Sequence, residues 1–203
     1  MCFHSKQSKD AQALEKRFHA KVAPELVVTS DHYNGFAHPQ TPVITNKDPE
    51  IIQLYHWGLI PFWAKEKKYN ANNLNARIET ITEKVSFKSS LKNRCLILCD
   101  GFMEWQWLDE KGKKKQPYLI TLPHDEVFAF AGLYSNWIDK STGEIINTYT
   151  IVTTEANDLM AEIHNIKKRM PIILTPENEK KWLNEENLLD FQYPEIELIA
   201  TAI

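Results

Sequence analysis

Short apolar runs recur along the chain, each closed by a turn signal, and this pattern does most to limit the fold. Val43-Ile44, Ile51–Tyr55, Arg94–Cys99, Tyr118–Leu122, Val127–Tyr134, Thr148–Thr154, Ile172–Leu174 and Glu197–Ile203 read as strands. Between them lie turn-rich stretches: Pro24–Val28 leading into Tyr33–Pro39, the charged tip Lys111–Lys115, and Asp139–Gly143. Helical signals are fewer. Asp10–Phe18 opens on a capping residue and carries Leu14 and Phe18 on one face. Phe87–Leu91 reads as a helical turn and Ala156–Ile163 as a helical segment. Thr175-Pro176-Glu177 supplies an N-cap and a first-turn proline to a helix with Trp182 and Leu183 on its inner face. Strands outnumber helices and do not alternate with them regularly. That disfavours a doubly wound sheet and predicts an α+β fold around a mainly antiparallel, barrel-like sheet with a few flanking helices. The 203 residues fit one domain, 1–203.

A net charge of −3 gives no global pull towards nucleic acid, so any such binding needs a local basic face. Three cysteines, an odd number, argue against a disulfide framework. Cys95 and Cys99 are an even number apart on one strand. They are expected as buried thiols on one face, in a reducing cytoplasm, because no second pair at metal-ligand spacing accompanies them. The N-terminus lacks the apolar run of a signal peptide, and no long apolar stretch suggests a membrane span. The expectation is a cytoplasmic monomer with no cofactor and no metal.

Several residues sit where chemistry would use them. Removal of Met1 would make Cys2 the N-terminus, pairing an α-amine of pKa about 8 with a thiol of about 8.5. A 1,2-aminothiol condenses with an aldehyde to an imine, and the thiol then closes a thiazolidine. Glu104 stands between Met103 and Trp105 just after an apolar strand. If buried, its pKa should rise into the range of a proton shuttle. Asn75, Arg77 and Glu79 alternate with apolar residues as one face of an extended segment within 70–80. Trp57-Gly-Leu-Ile-Pro61-Phe62-Trp63 reads either as a core corner or as an exposed aromatic wedge that stacks on bases. His164 closes a helical segment, where its position alone reads first as a core or capping histidine.

Taken together, these residues resemble the SRAP (SOS-response-associated peptidase) family. The matching elements are Cys2, Trp57–Pro61 with Trp63, Asn75–Thr80, Asp100–Trp105, Ile151–Thr153, and His164 with Arg169-Met-Pro171. The resemblance implies a barrel-like α+β fold with a basic groove for single-stranded DNA, and covalent capture of abasic (AP) sites through Cys2. It implies proton transfer by Glu104 and His164, orientation of Cys2 or the opened sugar by Asn75, and DNA contacts from Arg77, Trp57, Trp63, Thr153 and Arg169. Phe3-His4 stands where the family usually has Gly-Arg, so His4 is expected to take over the arginine's phosphate contact. The family name also implies autoproteolytic removal of Met1. Family members usually run a little past the last strand, so a short C-terminal extension is expected to be missing. Two alternatives stay open: an N-terminal-nucleophile amidohydrolase, and a non-catalytic single-strand-binding module.

Overall fold

The computed structural model describes residues 2–24, 31–68 and 71–203. The chain opens with β1 (His4–Gln7), helix α1 (Ala11–Phe18), β2 (Lys21–Val22) and β3 (Asp31–Asn34). Strands β4 (Gln40–Thr45) and β5 (Ile51–Trp57) form a hairpin, and β6 (Asn75–Arg77) and helix α2 (Val85–Lys88) follow. Then come β7 (Arg94–Cys99), β8 (Gly101–Trp107), β9 (Lys115–Thr121), β10 (Phe128–Ile138) and β11 (Ile145–Glu155). The chain finishes with α3 (Asp158–Ile163), β12 (Arg169–Pro171), β13 (Ile173–Leu174), α4 (Pro176–Leu183) and β14 (Ile199–Ala202).

Five strands close into a barrel. β5, β4, β7, β10 and β11 are successive antiparallel neighbours, and a parallel pairing of β11 with β5 (Tyr149 opposite Trp57) completes the ring. A second, antiparallel sheet runs β14-β9-β8-β1-β3. The α+β, mainly antiparallel, barrel-like architecture is the one the strand pattern predicts.

The run Cys95–Cys99 shows why β7 is apolar throughout. Side chains alternate along a strand. Cys95, Ile97 and Cys99 therefore join a cluster with Phe102 and Ile120 of the second sheet, while Leu96 and Leu98 join another with Leu14 of α1 and Trp182 of α4. Both faces are covered, so neither calls for a polar residue. Helix α1 is capped by Asp10, whose side chain accepts from Ala13 N–H, and α4 by Thr175, which accepts from Asn178 N–H. Both caps stand where the sequence puts them.

Some boundaries differ. The Asn75–Glu79 segment is extended only to Arg77 and then tightens into a 3-10 turn at Ile78–Thr80. The turn predicted at Tyr33–Pro39 starts as part of β3. Most of the lead-in Pro24–Val28, together with Asn70, lies outside the described residues.

Strand β1 has no apolar run, so the sequence pattern passes over it. It is nonetheless held on both sides, by β3 and by β8. Its end is anchored by Asp100, a buried carboxylate that accepts from Ser8 N–H at 3.1 Å and Lys6 Nζ at 3.2 Å. Strand pairing and this anchor fix the start of the chain, which is otherwise the part of a domain most prone to fray.

Candidate active site

Cys2 lies where β1 enters the molecule, 1% exposed and packed into the cluster shared by the two sheets. Its carbonyl accepts a hydrogen bond from Asn75 Nδ2 at 2.9 Å, and its thiol donates to the His4 carbonyl at 3.6 Å. Burial pushes the thiol well above its ordinary pKa, and the nearby Glu104 carboxylate adds to the shift. Asn75 is also buried, and its Oδ1 has no hydrogen-bond partner among the described residues. One half of this amide thus holds Cys2, and the other half is left to accept a proton donor.

Glu104, on β8, is 5% exposed, and burial raises its carboxyl to about 7. Its Oε2 lies 3.4 Å from His164 Nε2. His164 caps the C-terminal end of α3, and burial lowers it to about 4. His164 Nδ1 lies 3.0 Å from both the backbone nitrogen and the carbonyl oxygen of Arg169, which turns Nε2 towards Glu104. The pair is therefore a neutral imidazole against a carboxyl group poised to gain or lose a proton near neutrality, an arrangement suited to shuttling protons.

Two clefts open beside this centre. The smaller, about 240 Å³, is lined by Phe3, Glu104, Trp105, Trp107 and His164. The larger, about 780 Å³, is lined by Asn73, Asn75, Phe36 and the cations Arg77, Lys84 and Lys167. Phe3 and Lys167 line both. A locally basic cleft thus exists in a chain of net negative charge.

The expected site residues divide into two groups. Cys2, Asn75, Glu104 and His164 come together, and Arg77 is exposed in the adjoining cleft. Trp57 does not belong to an exposed wedge: it is fully buried, stacked on Tyr149, with its indole N–H donating to Leu74 O at 2.9 Å. Only Phe62 and Trp63 of that segment are exposed, at 62% and 51%. They follow a segment tied to the wall of the larger cleft, where Asn73 Nδ2 donates to Leu59 O.

Thr153 and Arg169 are likewise not surface ligands. Thr153 is fully buried, and its hydroxyl donates to Ala76 O at 3.4 Å. The Arg169 guanidinium is also buried, bidentate on Glu79 at 2.7 and 2.9 Å and donating to Thr153 O. Its charge is already matched by a carboxylate, and it ties β12 to the turn after β6.

His4 stacks on His32, with Nδ1 2.9 Å from His32 Nε2, and meets Trp105 edge-on. Burial and the second imidazole hold His4 below its ordinary pKa. Sequence reasoning missed Phe36, Lys84 and Trp105 as cleft residues. Nothing in their local pattern separates them from ordinary turn or strand positions.

A family model described as SOS response associated peptidase (SRAP) matches residues 1–197. The abasic site processing protein YoqW of Bacillus subtilis (strain 168) is 50% identical over 132 residues, which are 64% of this chain and 56% of that protein. The abasic site processing protein HMCES of Xenopus tropicalis is 32% identical over 184 residues, 75% of this chain and 53% of that protein. The chain spans about half the length of the curated relatives it matches. A crystal structure of a protein from Bacteroides thetaiotaomicron matches with a TM-score of 0.87 and 34% identity, over 100% of this chain and 92% of that one. Family model, relatives and fold agree: the chain belongs to the SOS response associated peptidase (SRAP) family.

Proposed function

We propose that this protein recognises abasic sites in single-stranded DNA and captures them covalently through Cys2 once Met1 is removed. The observation that carries the proposal is the gathering of Cys2, Asn75, Glu104 and His164 at the meeting of two clefts, one of them basic. Relatives named abasic site processing proteins support the same reading.

The open form of an abasic sugar carries an aldehyde at C1′. The Cys2 α-amine adds to that carbon, and the carbinolamine loses water to give an imine. The thiol then adds across the C=N bond: sulfur joins carbon, nitrogen gains the thiol proton, and a five-membered thiazolidine results. Amine first and thiol second suits a thiol that burial keeps protonated. Glu104, with its carboxyl near 7, takes and returns protons at the amine and the carbinolamine. His164 serves the sugar ring oxygen as ring opening proceeds. Asn75 Oδ1 accepts from the amine or the opened sugar's hydroxyl.

Arg77 meets the phosphates, for which its planar fork is suited. Trp63 and Phe62 stack on bases further along the strand. An unstacked lesion spares the cost of flipping, which favours single-stranded or junction DNA.

The test is a denaturing gel of the protein, shown by mass spectrometry to lack Met1, after incubation with oligonucleotides with and without one abasic site. A heat-stable adduct with the abasic oligonucleotide alone, absent in Cys2→Ala, is expected. No adduct from the processed wild type would refute the proposal. Turnover of a small amide without DNA would favour an amidohydrolase, and equal binding of intact and abasic strands without an adduct would favour a simple binding module.

A further inference from the structure

Phe3 separates the two clefts. It lines the smaller beside Glu104 and the larger beside Asn75, and its ring packs partly against the core cluster. The ring also meets Phe36, with centroids 4.8 Å apart and planes tilted by 31°. Phe36 is 53% exposed at a 3-10 turn, Gly35–Ala37, on the rim of the larger cleft.

This exposed ring is held in place. Phe36 N–H donates to Asn34 Oδ1 at 3.0 Å, and Gly35 N–H donates to Phe3 O at 2.8 Å. Gly35 lies flat on Trp57, where a Cβ would come within 3.2 Å of the indole. The turn is therefore clamped to the residue that follows Cys2, and little ordering entropy remains to be lost when a ligand packs on it.

We propose that Phe3 and Phe36 form a stacking step for the nucleobase adjoining the abasic nucleotide. The proposal rests on the crosslinking reading and deepens it. Residue 3 follows the reacting Cys2 directly, so the nucleotide next to the trapped sugar must pass the Phe3 ring. That nucleobase has lost its neighbour and has one face uncovered, and the ring pair supplies a cover. Arg77, Lys84 and Lys167 in the same cleft match the charge of the flanking phosphates. An aromatic face stacks on any base, so the step selects for a gap in the strand and not for a sequence.

The test is a thermodynamic cycle between protein and DNA. Single strands carry a tetrahydrofuran abasic analogue, which has no aldehyde and so reports equilibrium binding. Further strands also lack the base on one side or the other. Phe36→Ala is expected to weaken binding to the first strand about tenfold. Deleting one particular flanking base should weaken the wild type by a similar factor and Phe36→Ala hardly at all. Phe36→Trp should keep the wild-type behaviour, and Phe3→Leu should show the loss. Unchanged affinity in Phe36→Ala, or losses that multiply independently for both flanks, would overturn the stacking step. Adduct formation with an aldehyde-bearing strand, run on the same proteins, judges the crosslinking reading separately: no adduct from any of them refutes that reading, while the cycle on the analogue still decides the stacking step.

Discussion

Glu104 and His164 face each other, and burial drives both towards their neutral forms. Glu104 moves from 4.5 to about 7, so across that range the folded state keeps a proton that the unfolded state has lost, and stability falls as pH rises. His164 moves from 6.5 to about 4, so across that range the unfolded state holds the extra proton, and stability falls as pH drops. The windows overlap between about 4.5 and 6.5, where the two effects cancel. Glu104→Gln should unmask the histidine: unfolding free energy should rise with pH across the overlap, at up to about 1.4 kcal/mol per pH unit. Urea titrations at several pH values check this, and a variant as flat as the wild type would contradict it. Arg77→Ala belongs to the same scale. It should weaken DNA binding and lower the slope of log affinity against log salt by about one, leaving the melting temperature unchanged.

At the scale of elements, Arg169 joins β12 to the turn after β6 through Glu79, and to β11 through the Thr153 carbonyl. Arg169→Met removes the charge but keeps part of the packing, and takes this donor from Glu79 and from the Thr153 carbonyl. Because Glu79 is itself partly solvated, the loss should be about 2 kcal/mol, below the usual 3–5 kcal/mol for a broken buried pair. The salt slope of DNA binding should stay at the wild-type value, the opposite signature to Arg77→Ala; a reduced slope would show that Arg169 meets phosphate after all. The Asp100 anchor acts similarly on β1. Asp100→Ala would leave Ser8 N–H and two lysines without their shared acceptor. Adduct formation should then slow as the start of the chain frays, even though Asp100 takes no part in the chemistry.

For the whole molecule, the barrel and second sheet form a scaffold that sets Arg77, Lys84 and Lys167 around one cleft. Helix α4 covers the barrel through Trp182, whose indole N–H is shared by the carbonyls of Cys95 and Gly132 and whose ring lies under the Arg94 guanidinium. Trp182→Ala should cost about 3–5 kcal/mol, the usual range for emptying a large aromatic site. Because α4 does not line the two clefts, adduct formation below the lowered melting temperature should continue at the wild-type rate, and a matching loss of reactivity would show that scaffold and site are coupled.

Much of the fold was legible in the sequence because alternation and turn chemistry are local. The Cys95–Cys99 run, the Asp10 and Thr175 caps and the Lys111–Lys115 tip each carry their meaning within a few residues. Strand β1 was not legible: Ser5 and Gln7 are buried in a strand that pairs with β3 and β8, partners about thirty and a hundred residues away. The candidate set Cys2, Asn75, Glu104 and His164 was named from residue chemistry and family resemblance, but the hydrogen bond from Asn75 to Cys2 and the facing of Glu104 and His164 exist only in three dimensions. Trp57, Thr153 and Arg169 make the converse point. Each side chain has the chemistry to touch DNA, and the fold gives it a buried partner instead: Tyr149, Ala76 O and Glu79. By itself the sequence determined which groups could react and where strands and caps would form. Only tertiary structure decided which groups meet solvent, because burial and long-range pairing depend on which distant segments close over each side chain.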